Sequence, residues 1–91
     1  MQIEFDADKD AINRFKHWLP LAFGKRVFDD PAHEIITTHR AVDREKRFKA
    51  VGMVDGKLYT TVFVPREGAV RMISVRRSNN GEQKEYGRDP G

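Results

Sequence analysis

The chain contains no cysteine. That excludes disulfides, thiolate nucleophiles and cysteine-ligated zinc, and it fits a reducing cytoplasm. His17, His33 and His39 lack the short histidine spacings of a zinc site, and no loop alternates carboxylates in the EF-hand manner. Glycine-rich phosphate loops are also missing. No apolar run approaches the roughly 20 residues of a membrane-spanning helix. The residues from Glu4 onward are acidic and polar, unlike a signal peptide. There is no internal repeat and no linker. The expectation is a cytoplasmic protein with no cofactor, no metal and no membrane contact. It should form a single domain over residues 1–91, with 86–91 as a frayed tail.

Ninety-one residues support one hydrophobic core. With 38% hydrophobic and 34% charged residues, that core must be thin. Six Phe, one Trp and two Tyr are the large side chains available to fill it. The formal charge of +3 is only a faint sign of a polyanionic partner. Its distribution says more. Acids gather early, at Glu4, Asp6, Asp8 and Asp10 and then at Asp29 and Asp30. Bases gather late, at Arg44, Lys46, Arg47 and Lys49 and then at Arg66, Arg71, Arg76 and Arg77.

Gln2 to Phe5 suits a short edge strand. Asp6 is a candidate N-cap, with Asp8 and Asp10 at the positive end of a helix dipole. Ala11, Ile12, Phe15, Trp18 and Leu19 then recur at helical spacing, until Pro20 ends the run. A second helix is expected from about Pro20 to Phe28, burying Leu19, Phe23 and Val27, with Asp29-Asp30-Pro31 as its stop. Residues 34–38 read as a strand and His39 to Lys46 as a loop. Arg47–Val54 and Lys57–Val64 flank Asp55-Gly56, the signature of a type I′ hairpin, which pairs Val54 with Lys57, Val51 with Thr60 and Arg47 with Val64. A turn within Pro65–Gly68 leads to a strand from Ala69 to about Arg77, and Asn79 caps a last short helix. This order predicts an α+β fold: two N-terminal helices, an antiparallel sheet of about four strands and a short C-terminal helix.

Arg47, Arg71 and Arg76 fall on strands that antiparallel pairing brings together. Guanidinium groups grip phosphate through paired hydrogen bonds and stay charged in any environment, so they can offset transition-state charge. The register of the second hairpin decides whether Arg71 shares a face with the others, and both faces remain open at this level. Glu45 could take a proton from a ribose hydroxyl, or simply pair with Arg47 or Lys49. His17 could act as an acid or a base, or simply meet the free carbonyls of a helix end. Asp29-Asp30 reads as a turn with a capping carboxylate.

Several short motifs, in order, resemble the BrnT toxins. They are Asn13 before Lys16-His17, Val27-Phe28-Asp29-Asp30-Pro31, Glu45-Lys46-Arg47-Phe48 with Val51-Gly52, and Arg71-Met72-Ile73-Ser74-Val75-Arg76-Arg77 followed by Glu82 and Tyr86. The likeness runs from about Phe5 to Tyr86. It implies a RelE-like fold and a ribonuclease toxin of a type II toxin–antitoxin system that blocks translation. It implies a BrnA-type antitoxin partner, with DNA contacted only through that antitoxin. It also implies cleavage by the RNA's own 2′-hydroxyl without metal. Carried over by position, the catalytic candidates are Glu45, Arg47, Arg71, Arg76 and His17. Lys46, Lys49, Arg77 and Ser74 are RNA-binding candidates, Lys46 also being a possible proton carrier. The chain departs from the family at Trp18, which stands where a glycine is usual, at Pro20, and at Asn79-Asn80-Gly81. Trp18 in that place predicts a different ending for the first helix. Two other functions fit the same residues: an RNA- or ribosome-binding module that does not cut, and a scaffold that seats an antitoxin.

Overall fold

The computed structural model describes residues 1–38 and 45–87. Most of the expected loop from His39, including Arg44, and the tail from 88 onward lie outside the described residues. The chain runs β1 (Ile3–Glu4), α1 (Ala7–His17), a 3₁₀ turn (Leu21–Phe23), α2 (Gly24–Asp29), β2 (Glu34–Thr38), β3 (Arg47–Val54), β4 (Lys57–Arg66), β5 (Ala69–Arg77) and α3 (Asn80–Glu85). The strands form one sheet in the order β1-β5-β4-β3-β2. The meander β2 to β5 is antiparallel, as expected, and β1 adds a short parallel strand beside β5. Among the described residues, no helix is long and apolar enough to cross a membrane.

The first hairpin forms as its sequence dictates. Asp55 and Gly56 take φ of 51° and 80°, and Val54 pairs with Lys57 and Val51 with Thr60. The ladder ends at Phe48–Phe63, and Arg47 instead pairs with Thr38 of β2. The second turn is the two-residue Glu67-Gly68, and Arg66 pairs with Ala69. Gly68 supplies the positive φ of 71°.

The 3₁₀ turn and α2 pack on one face of the sheet. The core there joins Leu21, Val27, Ala50, Val54, Phe63, Met72 and Val75. The second helix differs from expectation. Its first turn is 3₁₀, and Leu21, Gly24 and Val27 are the buried positions, while Leu19 and Phe23 are only partly covered. Two glycines permit the close approach. A Cβ on Gly52 would lie 2.4 Å from the Val27 carbonyl oxygen, and one on Gly24 would lie 2.8 Å from Thr61 Oγ1.

Helix α1 departs further. Its N-cap is Asp6, whose carboxylate accepts from the Asp8 amide. Yet the apolar side chains expected to serve the core point outward: Ile12 is 54% exposed, Phe15 87% and Trp18 89%. The buried residue of the helix is Asn13. Its amide donates to the Val75 carbonyl and accepts from the Val75 N–H, at 2.9 and 3.0 Å. Helix α1 therefore lies along the outer edge of β5, where the strand's backbone groups need partners that an apolar side chain cannot supply. Trp18 does take the left-handed C-cap conformation, with φ 63° and its N–H bonded to the Arg14 carbonyl. The helix thus ends where a glycine would have ended it, at a steric cost of about 1–2 kcal/mol.

Candidate nucleic-acid interface

The sheet face opposite α2 carries Arg47, Lys49, Arg71 and Arg76. On β3 and β4 this face is set by the pairs Lys49–Val62 and Val51–Thr60. On β5 it continues through Val62–Ser74 and Thr60–Arg76. The register then shifts by one residue between Val62 and Phe63, which leaves Ile73 as a bulge, and Arg71 pairs with Val64. Counted from the Glu67-Gly68 turn, Arg71 falls opposite Val64 on the open face, and without the bulge strict alternation would send Ser74 and Arg76 to the helix-covered face. With it, Arg71, Ser74 and Arg76 share one face, together with Arg47 and Lys49 on β3. The register question left by the sequence is thereby settled.

The arginines of this face divide into two groups. Helix α3 covers the end bearing Val51, Thr60 and Arg76. Its Asn79 cap and Glu82 form a reciprocal capping box. Glu82 is buried, with 4% of its side chain exposed, and both its oxygens are engaged. Arg76 donates to Oε1 at 2.7 Å and to Oε2 at 2.8 Å, and Lys49 donates to Oε2 at 3.0 Å. Thr60 and the Asn79 amide donate to Oε1 as well. Burial alone would raise this carboxyl. The donors from Arg76, Asn79, Lys49 and Thr60 outweigh burial and hold it down to about 2. Arg76 and Lys49 are thus already paired with an acid. Arg47 and Arg71 are half-buried and, among the described residues, carry no side-chain hydrogen bond or ion pair. Their guanidinium groups are the ones left to meet an anion.

Glu45 is exposed, and its partner is neither Arg47 nor Lys49 but Arg66, at 3.1 Å. His17 sits at the end of α1. It helps line a groove of about 210 Å³ between α1 and β5 with Lys9, Ile12, Lys16, Ile73 and Ser74. Ser74 therefore borders both the groove and the open face. Lys46 lies over the Phe48 ring at 5.6 Å and Arg77 over Tyr59 at 5.5 Å, both on the helix side of the sheet. Those two cations do not join the open face.

A larger groove, about 520 Å³, lies elsewhere, between the end of α2, the first hairpin and Tyr86. Asp29, Asp30 and Asp55 line it, so it repels a polyanion. Asp30 is the turn-capping carboxylate that its sequence indicates, accepting from the Ala32 amide. It also accepts from the Met53 amide and the Tyr86 hydroxyl. The Tyr86 hydrogen bond leads in lowering the Asp30 carboxyl, and the same bond raises the Tyr86 phenol. Sequence reasoning missed the structural work of Asn13 and Glu82, because only the tertiary fold brings their partners close. Among the described residues, no three histidine or carboxylate side chains gather as a metal set.

Comparison with protein families matches residues 5–82 to the model of the ribonuclease toxin BrnT of type II toxin–antitoxin systems. A search of curated protein sequences returned no match.

Proposed function

The chain belongs to the BrnT family of ribonuclease toxins, and from that premise we propose that Arg47 and Arg71 hold the scissile phosphate of RNA for metal-independent cleavage that stops translation in the cytoplasm. A type II toxin has an RNA substrate and an antitoxin partner; here the partner is of BrnA type, and operator DNA is reached through it. The observation that carries this reading is the β5 register, in which the Val64–Arg71 pairing sets Arg71 on the face of Arg47 and the bulge adds Ser74 and Arg76 to it.

The ribose 2′-oxygen attacks the adjacent phosphorus, and the bond to the 5′-oxygen breaks. A cyclic phosphate and a free 5′-hydroxyl result. One group takes the 2′-proton and another gives a proton to the departing oxygen. Glu45, paired with Arg66, and His17, in the groove between α1 and β5, are the two candidates. Arg47 and Arg71 offset the charge that builds on the phosphoryl oxygens, and Ser74 donates a hydrogen bond beside them. Arg76 and Lys49, tied to Glu82, stiffen the platform and lend it weaker charge. Arg77 adds peripheral attraction only.

Induced expression should arrest growth and protein synthesis with loss of intact messenger RNA, and co-expressed antitoxin should reverse both. Growth arrest with intact RNA would favour a binding module that does not cut. Unaffected growth, with antitoxin still bound, would leave only the scaffold reading.

A further inference from the structure

The strongest feature outside the arginine face is the outward side of α1. Ile12, Phe15 and Trp18 follow one another at three-residue steps and are 54%, 87% and 89% exposed. A surface helix normally turns such a stripe inward, and a contiguous apolar patch on the outside marks a protein contact. The polar Asn13 takes the inward position instead. Trp18 is held outward by a left-handed backbone that costs energy at a bulky residue. Ile12 also lines the groove shared with Ile73, His17 and Ser74, and Lys9 and Lys16 stand beside it. Neither lysine has an ion pair among the described residues.

We propose that this stripe is where the antitoxin docks, through an amphipathic segment whose apolar side covers Ile12, Phe15 and Trp18 and whose carboxylates meet Lys9 and Lys16. The proposal rests on membership of a toxin–antitoxin family, and it needs no particular catalytic residue. The groove connects the stripe to Ser74 on the arginine face. A segment seated there covers His17 and stands over the approach to Arg71. Neutralisation then follows from occlusion of the RNA path, with no need to distort the sheet.

The test uses the full chain and its purified cognate antitoxin. Trp18 is the one tryptophan of the protein. Binding of an antitoxin in which any tryptophan is replaced by Phe should shift its emission to the blue. Phe15→Glu and, separately, Trp18→Glu should weaken binding by about 30-fold or more, as loss of an anchor residue does. Both variants should keep their RNA cleavage and escape neutralisation in co-expression. Ile35→Glu, on the far edge strand β2, is the control and should bind normally. Normal antitoxin affinity in both α1 variants, or loss confined to Ile35→Glu, would overturn the proposal. So would a free toxin that is dimeric and becomes monomeric in Phe15→Glu with antitoxin affinity intact, which assigns the stripe to self-association. Failure of the ribonuclease reading shows separately, as wild-type protein that binds antitoxin through the stripe but leaves RNA whole.

Discussion

Arg76 and Glu82 face each other through two parallel hydrogen bonds, at 2.7 and 2.8 Å, with the carboxylate buried beneath α3. This pair fastens the C-terminal helix to the open face of the sheet. Arg76→Ala should therefore act first on stability. It leaves a buried carboxylate with its best partner gone, at a cost of about 3 kcal/mol. Thermal unfolding should fall by roughly 10–20 °C, and Glu82→Gln should give a similar loss.

Arg71→Ala should behave in the opposite way. Its guanidinium has no partner within the described protein, so unfolding should move by less than about 0.5 kcal/mol. RNA cleavage should drop about 100-fold, as when one preorganised donor to a transition-state oxygen is removed. The salt slope of RNA binding should fall by roughly 0.7. Chemical denaturation, a cleavage assay and a salt titration on the same two variants separate the two arginines.

The pH dependence follows from Glu82. Its carboxyl is lowered from 4.5 to about 2 in the folded chain. A depressed carboxyl contributes stability that is present above its unfolded value and is lost as pH falls through its folded value. Between pH 5 and pH 2 the protein should lose roughly 3 kcal/mol from this one group. Glu82→Gln should flatten that limb in urea titrations. Asp30, lowered chiefly by Tyr86, adds to the same acid loss.

Asn13→Leu is isosteric and apolar, yet it should destabilise. It removes both partners of the buried Val75 backbone groups, at a cost of about 1–3 kcal/mol for each unmet group. Amide exchange at Val75 should quicken before that of the sheet centre.

Trp18→Gly should raise stability by about 1 kcal/mol, because glycine takes the left-handed C-cap freely. Differential scanning calorimetry reads this directly. The same change should weaken antitoxin binding, which would explain why a costly residue stands where a glycine would serve.

Local chemistry was legible in the sequence wherever it acts within a few residues. Asp6 and Asn79 cap helices, Asp55-Gly56 turns the first hairpin, and its register follows. The helical spacing of Ile12, Phe15 and Trp18 marks a helix but does not say which way it faces. The covering of the β5 edge decides that, and Asn13 carries no periodic signal. The shared face of Arg47, Arg71 and Arg76 was beyond reach for a related reason. It needs both the two-residue Glu67-Gly68 turn, which sets Arg71 opposite Val64, and the Ile73 bulge, which brings Arg76 to the same face, and nothing in Arg71-Met72-Ile73-Ser74 sets it apart from a regular strand. Glu82 lies far along the chain from Lys49 and Thr60, so its neutralising of Arg76 and Lys49 emerges only when α3 folds back.

The central claim is that Arg47 and Arg71 make a metal-independent RNA-cutting site. The measurement that tests it most directly is cleavage of RNA by the purified protein in excess EDTA, with product ends identified, beside Arg47→Ala and Arg71→Ala. The account predicts cyclic-phosphate and 5′-hydroxyl ends at full rate in EDTA, with each variant folded and about 100-fold slower. Cleavage abolished by EDTA, or undiminished in both folded variants, would contradict it.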